Sequence, residues 1–392
     1  MEFIIDNNTL KEAINRLSAL VDKKSVIPAL QGIMFTVDDN GLTLKSSSLE
    51  SYATIKLWNT MKYDVQIIEH GSVVITLPDV EKILMVKDLI RVKSDGNFVV
   101  SAQNAKKKSK IAGIDSKEFI DFPAVDCNSD NLVMTIADGR KFCEELKIVG
   151  ESRSDNENKP IYMGFNFRSD NKAVCALDGF RMIVKYMDGF ADNKFNITIA
   201  GRAEKELTKL IGKSDYEINM YSGKSTSGVY FAVFVGSDFE YMVRLLDGEF
   251  LDYNQCIIKD VANTRFSFTD NKGIIETLKE YIKFAPKGIG SPVIMTNYNG
   301  ELLTHFGTQN YRTNDLHEIE GWLDDELFIG FNPNYMLGMI KLFDKLGIDY
   351  NVTIHSALKP IFITGGDYIC LVVPMRVKEE YDRESIIADF VA

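Results

Sequence analysis

Residues 3–20 read FIIDNNTLKEAINRLSAL, which is a short apolar strand, a polar turn and then an amphipathic helix. Leu10, Ile14, Leu17 and Val21 fall at helical spacing on one face, with Thr9 or Asn8 as the expected N-cap. The same grammar returns at 133–149 (VMTIADGRKFCEELKIV) and at 266–282 (FSFTDNKGIIETLKEYI). A second strand–turn–helix phrase, VVITLPDVEKILMV at 73–86, recurs as ITIAGRAEKELTKLI at 197–211 and FIGFNPNYMLGMIKLF at 328–343. Pro78 and Pro333 stand at or near the first helical position, where a missing N–H costs nothing. Successive copies lie roughly 130 residues apart, so six half-units in three tandem domains is the simplest organisation.

Between the helices the text is strand-like. The stretches IMFTVDDNGLTLKSS and VIMTNYNGELLTHFG place Asn-Gly between alternating or β-branched runs, and LIRVKSDGNFVVSA does so with Asp-Gly, which are hairpin signals. Each domain is therefore expected to be α+β, with two helices packed on an antiparallel sheet. The polar, turn-rich junctions divide the chain at 1–127, 128–258 and 259–377, leaving 378–392 as a C-terminal extension.

A length of 392 residues suits two or three cores, and 45% hydrophobic with 26% charged residues excludes a disordered chain, a collagen-like fibre and a coiled-coil rod. No apolar run reaches bilayer length and no signal-like leader opens the sequence, so no membrane role is expected. Cys127, Cys143, Cys175, Cys256 and Cys370 are odd in number and lack C-x-x-C spacing, which reads as reduced thiols in a cytoplasmic protein.

A net charge of −11 argues against a nucleic-acid partner when taken as a sum. The six repeat helices, however, are net positive, and the acid lies in strands and loops. If those helices share one surface, Lys24, Arg153, Lys159, Arg202, Lys205, Lys209 and Lys283 form a phosphate-attracting lining in an acidic shell. No helix carries a cluster of Asn, Gln and Arg for base readout, so the expected contact is with the backbone of duplex DNA, without sequence preference. The same charges also fit ordinary solvated helix faces, with Lys279 and Lys283 following Glu276 and Glu280 in helical pairs.

Signatures of chemistry are missing. His70, His305, His317 and His355 stand far apart without ligand spacing, and no phosphate loop, nucleophile elbow or dinucleotide fingerprint occurs. GGDY at 365–368 and GKSTSG at 223–228 sit between strand-like runs and read as hairpin tips. No cofactor, no metal and no catalytic residue is expected. The remaining alternatives are a multidomain adaptor that ignores DNA and an enzyme whose site assembles from distant loops.

Seven phrases carry a family likeness: KSVIPAL at 24–30, KPI at 159–161, DGFRM at 178–182, DGEFLDY at 247–253, IGFNP at 329–333, SALKP at 356–360 and VVPMR at 372–376. In this order, and with the threefold repeat, the chain resembles the bacterial DNA polymerase III beta subunits, the replicative sliding clamps, over residues 1–377. The resemblance implies three tandem clamp-type domains forming half of a closed ring. Two copies would meet head to tail as a homodimer, with helices lining a hole for duplex DNA. It also implies a processivity factor, not an enzyme, whose partners are the polymerase III catalytic subunit, a clamp-loader complex and other proteins bearing a clamp-binding motif.

Carried over residue by residue, the family's partner-peptide pocket would use Tyr162, Leu177, Gly179, Arg181 and Met182 on one side. Leu251, Cys256, Pro360, Leu371, Val372, Val373, Pro374, Met375 and Arg376 would form the other. This is an apolar groove with a cationic edge, suited to a short hydrophobic anchor. The family's subunit contact implies an edge strand over 104–111, with Lys106, Lys107, Lys108 and Ile111. It would face a segment over 313–320 with Asp315, Glu318 and Glu320, backed by Ile282 and Phe284. The chain departs from the family's common residues at Lys24, Phe180, Leu251 and Gln255. The extension carries Ile386, Ile387 and Phe390 at a spacing a groove-binding peptide could use, so either self-occlusion of the pocket or a packed or frayed terminus is expected.

Overall fold

Seven α-helices form among the described residues: α1 (Asn7–Leu17), α2 (Leu77–Ile83), α3 (Gly139–Val149), α4 (Ala203–Ile211), α5 (Asn271–Phe284), α6 (Pro333–Leu346) and α7 (Arg383–Val391). The computed structural model describes residues 1–58, 63–212, 217–258, 260–286, 291–378 and 381–392. The first six helices match the six repeat phrases, and the starts of α1, α5 and α6 are set by an acid or amide just upstream. Asp6, rather than Thr9 or Asn8, caps α1 by accepting from the Thr9 N–H at 3.0 Å. Asp270 caps α5 through the Gly273 N–H, and Asn332 caps α6 ahead of Pro333. Helix α6 stops at Gly347, whose φ of 63° is a left-handed conformation that costs a glycine nothing.

The described chain divides into two compact units, one of Met1–Lys147, Phe167–Lys172 and Asp188–Asp247, the other of Ile148–Asn166, Ala173–Met187 and Gly248–Ala392. In the first unit a five-stranded sheet runs in the order Val65–Glu69, Glu2–Asp6, Leu89–Ser94, Val99–Gln103, Lys108–Ala112. An eight-stranded sheet runs Leu132–Ile136, Ile218–Lys224, Tyr230–Val235, Phe239–Arg244, Ser51–Trp58, Gly41–Ser47, Gly32–Asp38, Gly71–Thr76. Its middle pairing, with Tyr241 opposite Ala53, makes one continuous sheet from segments far apart in sequence. Beside that seam the Arg16 guanidinium of α1 forks onto Asp238, at 2.7 and 3.1 Å, and its Nε donates to the Leu210 carbonyl of α4 at 2.6 Å. Both partners are buried, and the Tyr63 hydroxyl also donates to Asp238.

The second unit is built the same way. Strands Ala173–Leu177, Arg181–Tyr186, Tyr368–Val372, Ile361–Gly365, Asn351–Ile354, Thr264–Phe268 and Ile319–Trp322 lie side by side in that order. A four-stranded sheet runs Arg312–His317, Glu301–Gly307, Val293–Tyr298, Phe328–Phe331. The hairpin between Val293–Tyr298 and Glu301–Gly307 turns on Asn299 (φ 54°) and Gly300 (φ 89°), the left-handed pair that a two-residue turn demands. One face of this sheet meets α5, where Tyr281 stacks on Phe306 with ring centres 5.1 Å apart.

The other face of that sheet is covered by the C-terminal extension. Ile386 of α7 is buried against Ile294 and Leu303, with Ile387, Phe390 and Tyr381 packed around it. Self-occlusion of the pocket is thereby corrected: the three apolar side chains are taken by a sheet face whose alternate residues offer a matching apolar row. Glu379 and Glu380 of the extension lie outside the described residues, as do Lys213 and Lys287.

The Arg16–Asp238 pair is enclosed, so Asp238→Ala strands a buried guanidinium. A loss of about 3–5 kcal/mol is expected, read as a lowered urea midpoint. A surface control, Asp39→Ala at an exposed carboxylate, should move the midpoint little.

Candidate functional site

The groove arises in the second unit from one turn and one strand end. Asp178 closes the turn between Ala173–Leu177 and Arg181–Tyr186 by accepting from the Phe180 and Arg181 N–H groups at 2.8 and 2.9 Å. Its second oxygen holds the Arg181 Nε at 2.9 Å, and the Arg181 guanidinium lies over the Tyr335 ring of α6 at 4.9 Å. Phe180, 60% exposed, stacks on the same tyrosine at 6.4 Å. Strand Tyr368–Val372 runs antiparallel to Arg181–Tyr186 with Leu371 opposite Met182, and the Val373 N–H continues the ladder to the Phe180 carbonyl at 2.8 Å.

Leu177, Met182 and Leu371 join Phe250, Tyr253 and Phe362 in one buried cluster, with Tyr162, Cys256 and Val373 partly exposed on it. Tyr162 meets Phe250 edge-on at 5.4 Å. Leu251 is 44% exposed beside Phe250. Pro360, Pro374 and Met375 are half-buried, while Gly179 and Arg376 are exposed. Val372 is the exception among the expected lining residues: alternation along the strand turns it to the opposite sheet face, where it is fully buried. Burial pushes the Cys256 thiol up from its ordinary value, and Asp252 adds to the effect.

The expected basic residues fare unequally. In the first unit Lys205 and Lys209 project one turn apart from α4, opposite its buried Ala203, Leu207 and Leu210. Lys24 is exposed in the loop after α1, and Arg202 at the start of α4 meets Glu50 at 3.5 Å. In the second unit Lys159 and Lys283 are exposed, their ammonium groups over Tyr162 and Phe284. Arg153 departs from the expectation of a solvent-facing cation. It is half-buried, its Nε donates to the Gly150 carbonyl, and its guanidinium covers Phe165 at 4.9 Å.

The two edges expected at a subunit contact also need correction. Lys108–Ala112, with Ile111 half-buried, is the edge of the five-stranded sheet, but Lys106 and Lys107 lie in the preceding turn, their N–H groups held by Asn104. The segment 313–320 is not one strand: Arg312–His317 edges the four-stranded sheet, and Ile319–Trp322 edges the larger one, with Glu318 between them. Asp315 is committed internally, accepting from the Tyr281 hydroxyl of α5 at 2.6 Å. Glu318 and Glu320 are exposed. Ile282 is half-buried, and Phe284, 45% exposed, leans on Tyr311 at 4.7 Å.

Residues 1–125 match the family described as DNA polymerase III beta subunit, N-terminal domain. The beta sliding clamp of Bacillus subtilis (strain 168) is 23% identical over 400 residues, spanning 96% of this chain and all of that protein. The beta sliding clamp of Staphylococcus epidermidis is 23% identical over 394 residues, spanning 96% of this chain and 99% of its own. The chain is thus similar to a DNA polymerase III beta subunit N-terminal domain over its first 125 residues and to beta sliding clamps over nearly its whole length. Its fold is that of the solved clamps: the DNA polymerase sliding clamp from Bacillus subtilis superposes with a TM-score of 0.81 at 19% identity. The DNA polymerase III beta chain from Streptococcus pneumoniae does so at 0.82 and 17%, each over 96% of this chain and 100% of the other.

Within the second unit the floor of the groove is less legible in sequence than its rim. Phe250 and Tyr253 stand inside the DGEFLDY phrase, where their size is the one local sign of a buried role. Phe362 and Tyr335 have no local signal, because only strand pairing and the packing of α6 bring them to the site.

Cys256 borders the groove while Cys175 and Cys370 are fully buried. Iodoacetamide should therefore modify Cys256 and the exposed Cys127 in the folded protein, faster as the pH rises, because both thiols are pushed up, Cys127 to about 11. Cys175 and Cys370 should react only after unfolding. Mass spectrometry of digests checks this, and equal early labelling of Cys370 would contradict the packing.

Proposed function

We propose that the protein is a DNA polymerase processivity factor: a homodimeric ring of three tandem domains per copy that encircles duplex DNA and tethers other proteins through the Leu177–Met182–Leu371 groove. The end-to-end likeness to beta clamps, spanning 96% of the chain in sequence and in fold, carries this reading. In it, the polymerase III catalytic subunit, a clamp loader and other motif-bearing proteins dock in the groove by an apolar anchor, with Arg181 and Arg376 offering a cationic rim. The protein acts in the cytoplasm and catalyses nothing; its work is topological.

Lys205 and Lys209 on α4, with Lys24, Arg202, Lys159 and Lys283, are the candidates for phosphate contact. Lysine is a point charge on a flexible stem, so these contacts hold the duplex loosely and without sequence preference, which suits sliding. Arg153 is assigned a supporting role, holding the turn that contains Gly150. Dimerisation would pair the free edge Lys108–Ala112 of one copy with Arg312–His317 of another. Lys106, Lys107 and Lys108 would then lie near Glu318 and Glu320, and Ile111 near Ile282 and Phe284.

The deciding experiment loads the protein onto a nicked circular plasmid with a bacterial clamp loader and then linearises the DNA. Retention on the circle with loss within minutes of cutting is expected, and equal lifetimes on both forms would refute encirclement. Lys205→Glu with Lys209→Glu should weaken DNA binding and flatten its salt dependence by about two charges' worth of slope. Leu371→Ala should leave retention intact while weakening polymerase docking about tenfold or more.

A further inference from the structure

We propose that the C-terminal extension is a strap that holds the far wall of the groove, residues 373–377, in place by docking α7 on the outer face of the four-stranded sheet. Beyond Val372 the chain leaves its strand, and its described backbone bonds are the Val373 N–H to Phe180 and the Met375 N–H to the Gly330 carbonyl, both 2.8 Å. Gly330 has no room for a side chain, since a Cβ there would meet the Met375 carbonyl oxygen at 2.8 Å and Val377 at 2.9 Å. The wall is thus laid directly on strand Phe328–Phe331, with Pro374, Met375 and Arg376 still open to solvent.

The extension meets this segment at Val377, which packs on the same cluster as Ile386. Tyr381 packs against His305 at 5.1 Å, and its hydroxyl sits against Gly307. Asp382 and Ser385 cap α7 reciprocally, Arg383 donates to the Asn297 carbonyl at 3.3 Å, and Phe390 meets Tyr298 edge-on at 5.3 Å. Ile386, 2% exposed, is the anchor between Ile294 and Leu303. A nine-residue helix is not stable alone in water, so α7 exists only while it is docked. Among the described residues, the buried His305 Nε2, Thr296 Oγ1 and Arg383 Nε have no hydrogen-bond partner. A helix that forms only on docking is a fastening that can release. Docked, it packs against Val377 and limits the wall to one position; released, it takes that packing away from the wall.

The effect on the wall is independent of what the groove binds, whereas the effect on affinity rests on the groove being a peptide site. The test uses the full chain, Ile386→Asp, a deletion of 381–392 and the milder Phe390→Ala. Hydrogen exchange of the Met375 and Val377 amides reads the wall, with Phe266 in the large sheet as control. A fluorescein-labelled peptide, Gly-Asp-Leu-Leu-Phe, reads the groove. The strap predicts exchange about tenfold faster or more at Met375 and Val377 in Ile386→Asp and in the deletion. A smaller change of the same sign is expected in Phe390→Ala, Phe266 should be unaffected, and the peptide should bind several-fold more weakly. Unchanged exchange at Met375 would overturn the strap, as would tighter peptide binding on deletion, which is the mark of a tail competing for the groove. If the full chain fails to bind any anchor peptide while exchange still responds, the peptide reading falls and the strap stands.

Discussion

The backbone ladder between Arg181–Tyr186 and Tyr368–Val372 is the constraint on which the candidate site depends. It places Leu371 opposite Met182 and, through the Val373 N–H, brings the Asp178–Phe180 turn beside the chain end. A one-residue slip in this register would carry Leu371 to the opposite, buried face and Val372 to the groove side, exchanging a groove wall for a core residue. The buried pack of Phe250, Tyr253 and Phe362 beneath it resists that slip, because each alternate position is already filled. In the first unit the Phe239–Arg244 and Ser51–Trp58 pairing plays the same joining role, locked by Arg16 and Asp238.

Charge in this protein is organised by position rather than by sum. The chain carries −11 overall, yet α4 presents Lys205 and Lys209 on its exposed face. Screening at physiological salt confines such fields to about 8 Å, so a phosphate near that face responds to the local lysines and little to the distant acid. Interior polar groups follow a different logic. Asp315 is satisfied by Tyr281, whose hydroxyl is pushed far up by burial and by that same carboxylate, and this fixes α5 to the sheet edge rather than offering a charge outward.

The extension shows how one sheet can serve two ends. One face of the four-stranded sheet carries the core around Tyr281 and Phe306, and the other carries α7 together with Val377 of the groove wall. Binding geometry at Pro374–Arg376 is then coupled to a helix whose own stability is conditional.

The sequence by itself determined the repeats, the six helices and their turns. Helical and strand periodicities and pairs such as Asn299-Gly300 act over a few residues, and the phrases shared with beta clamps lie in short contiguous runs. The phrases DGFRM, DGEFLDY and VVPMR, read through the family resemblance, supplied Leu177, Met182 and Leu371 or their immediate neighbours, which the structure brings into one cluster. Only the tertiary structure decided that Val372 faces the core, that Arg153 is folded onto Phe165, that Asp315 is consumed by Tyr281, that 313–320 splits between two sheets, and that the extension lies on the four-stranded sheet instead of in the groove. Each of these outcomes turns on partners outside the local run of sequence, most of them tens to hundreds of residues away. Local pattern says that a residue is apolar or charged, but which surface or counter-group reaches it is settled only when distant strands pair and close the space around it.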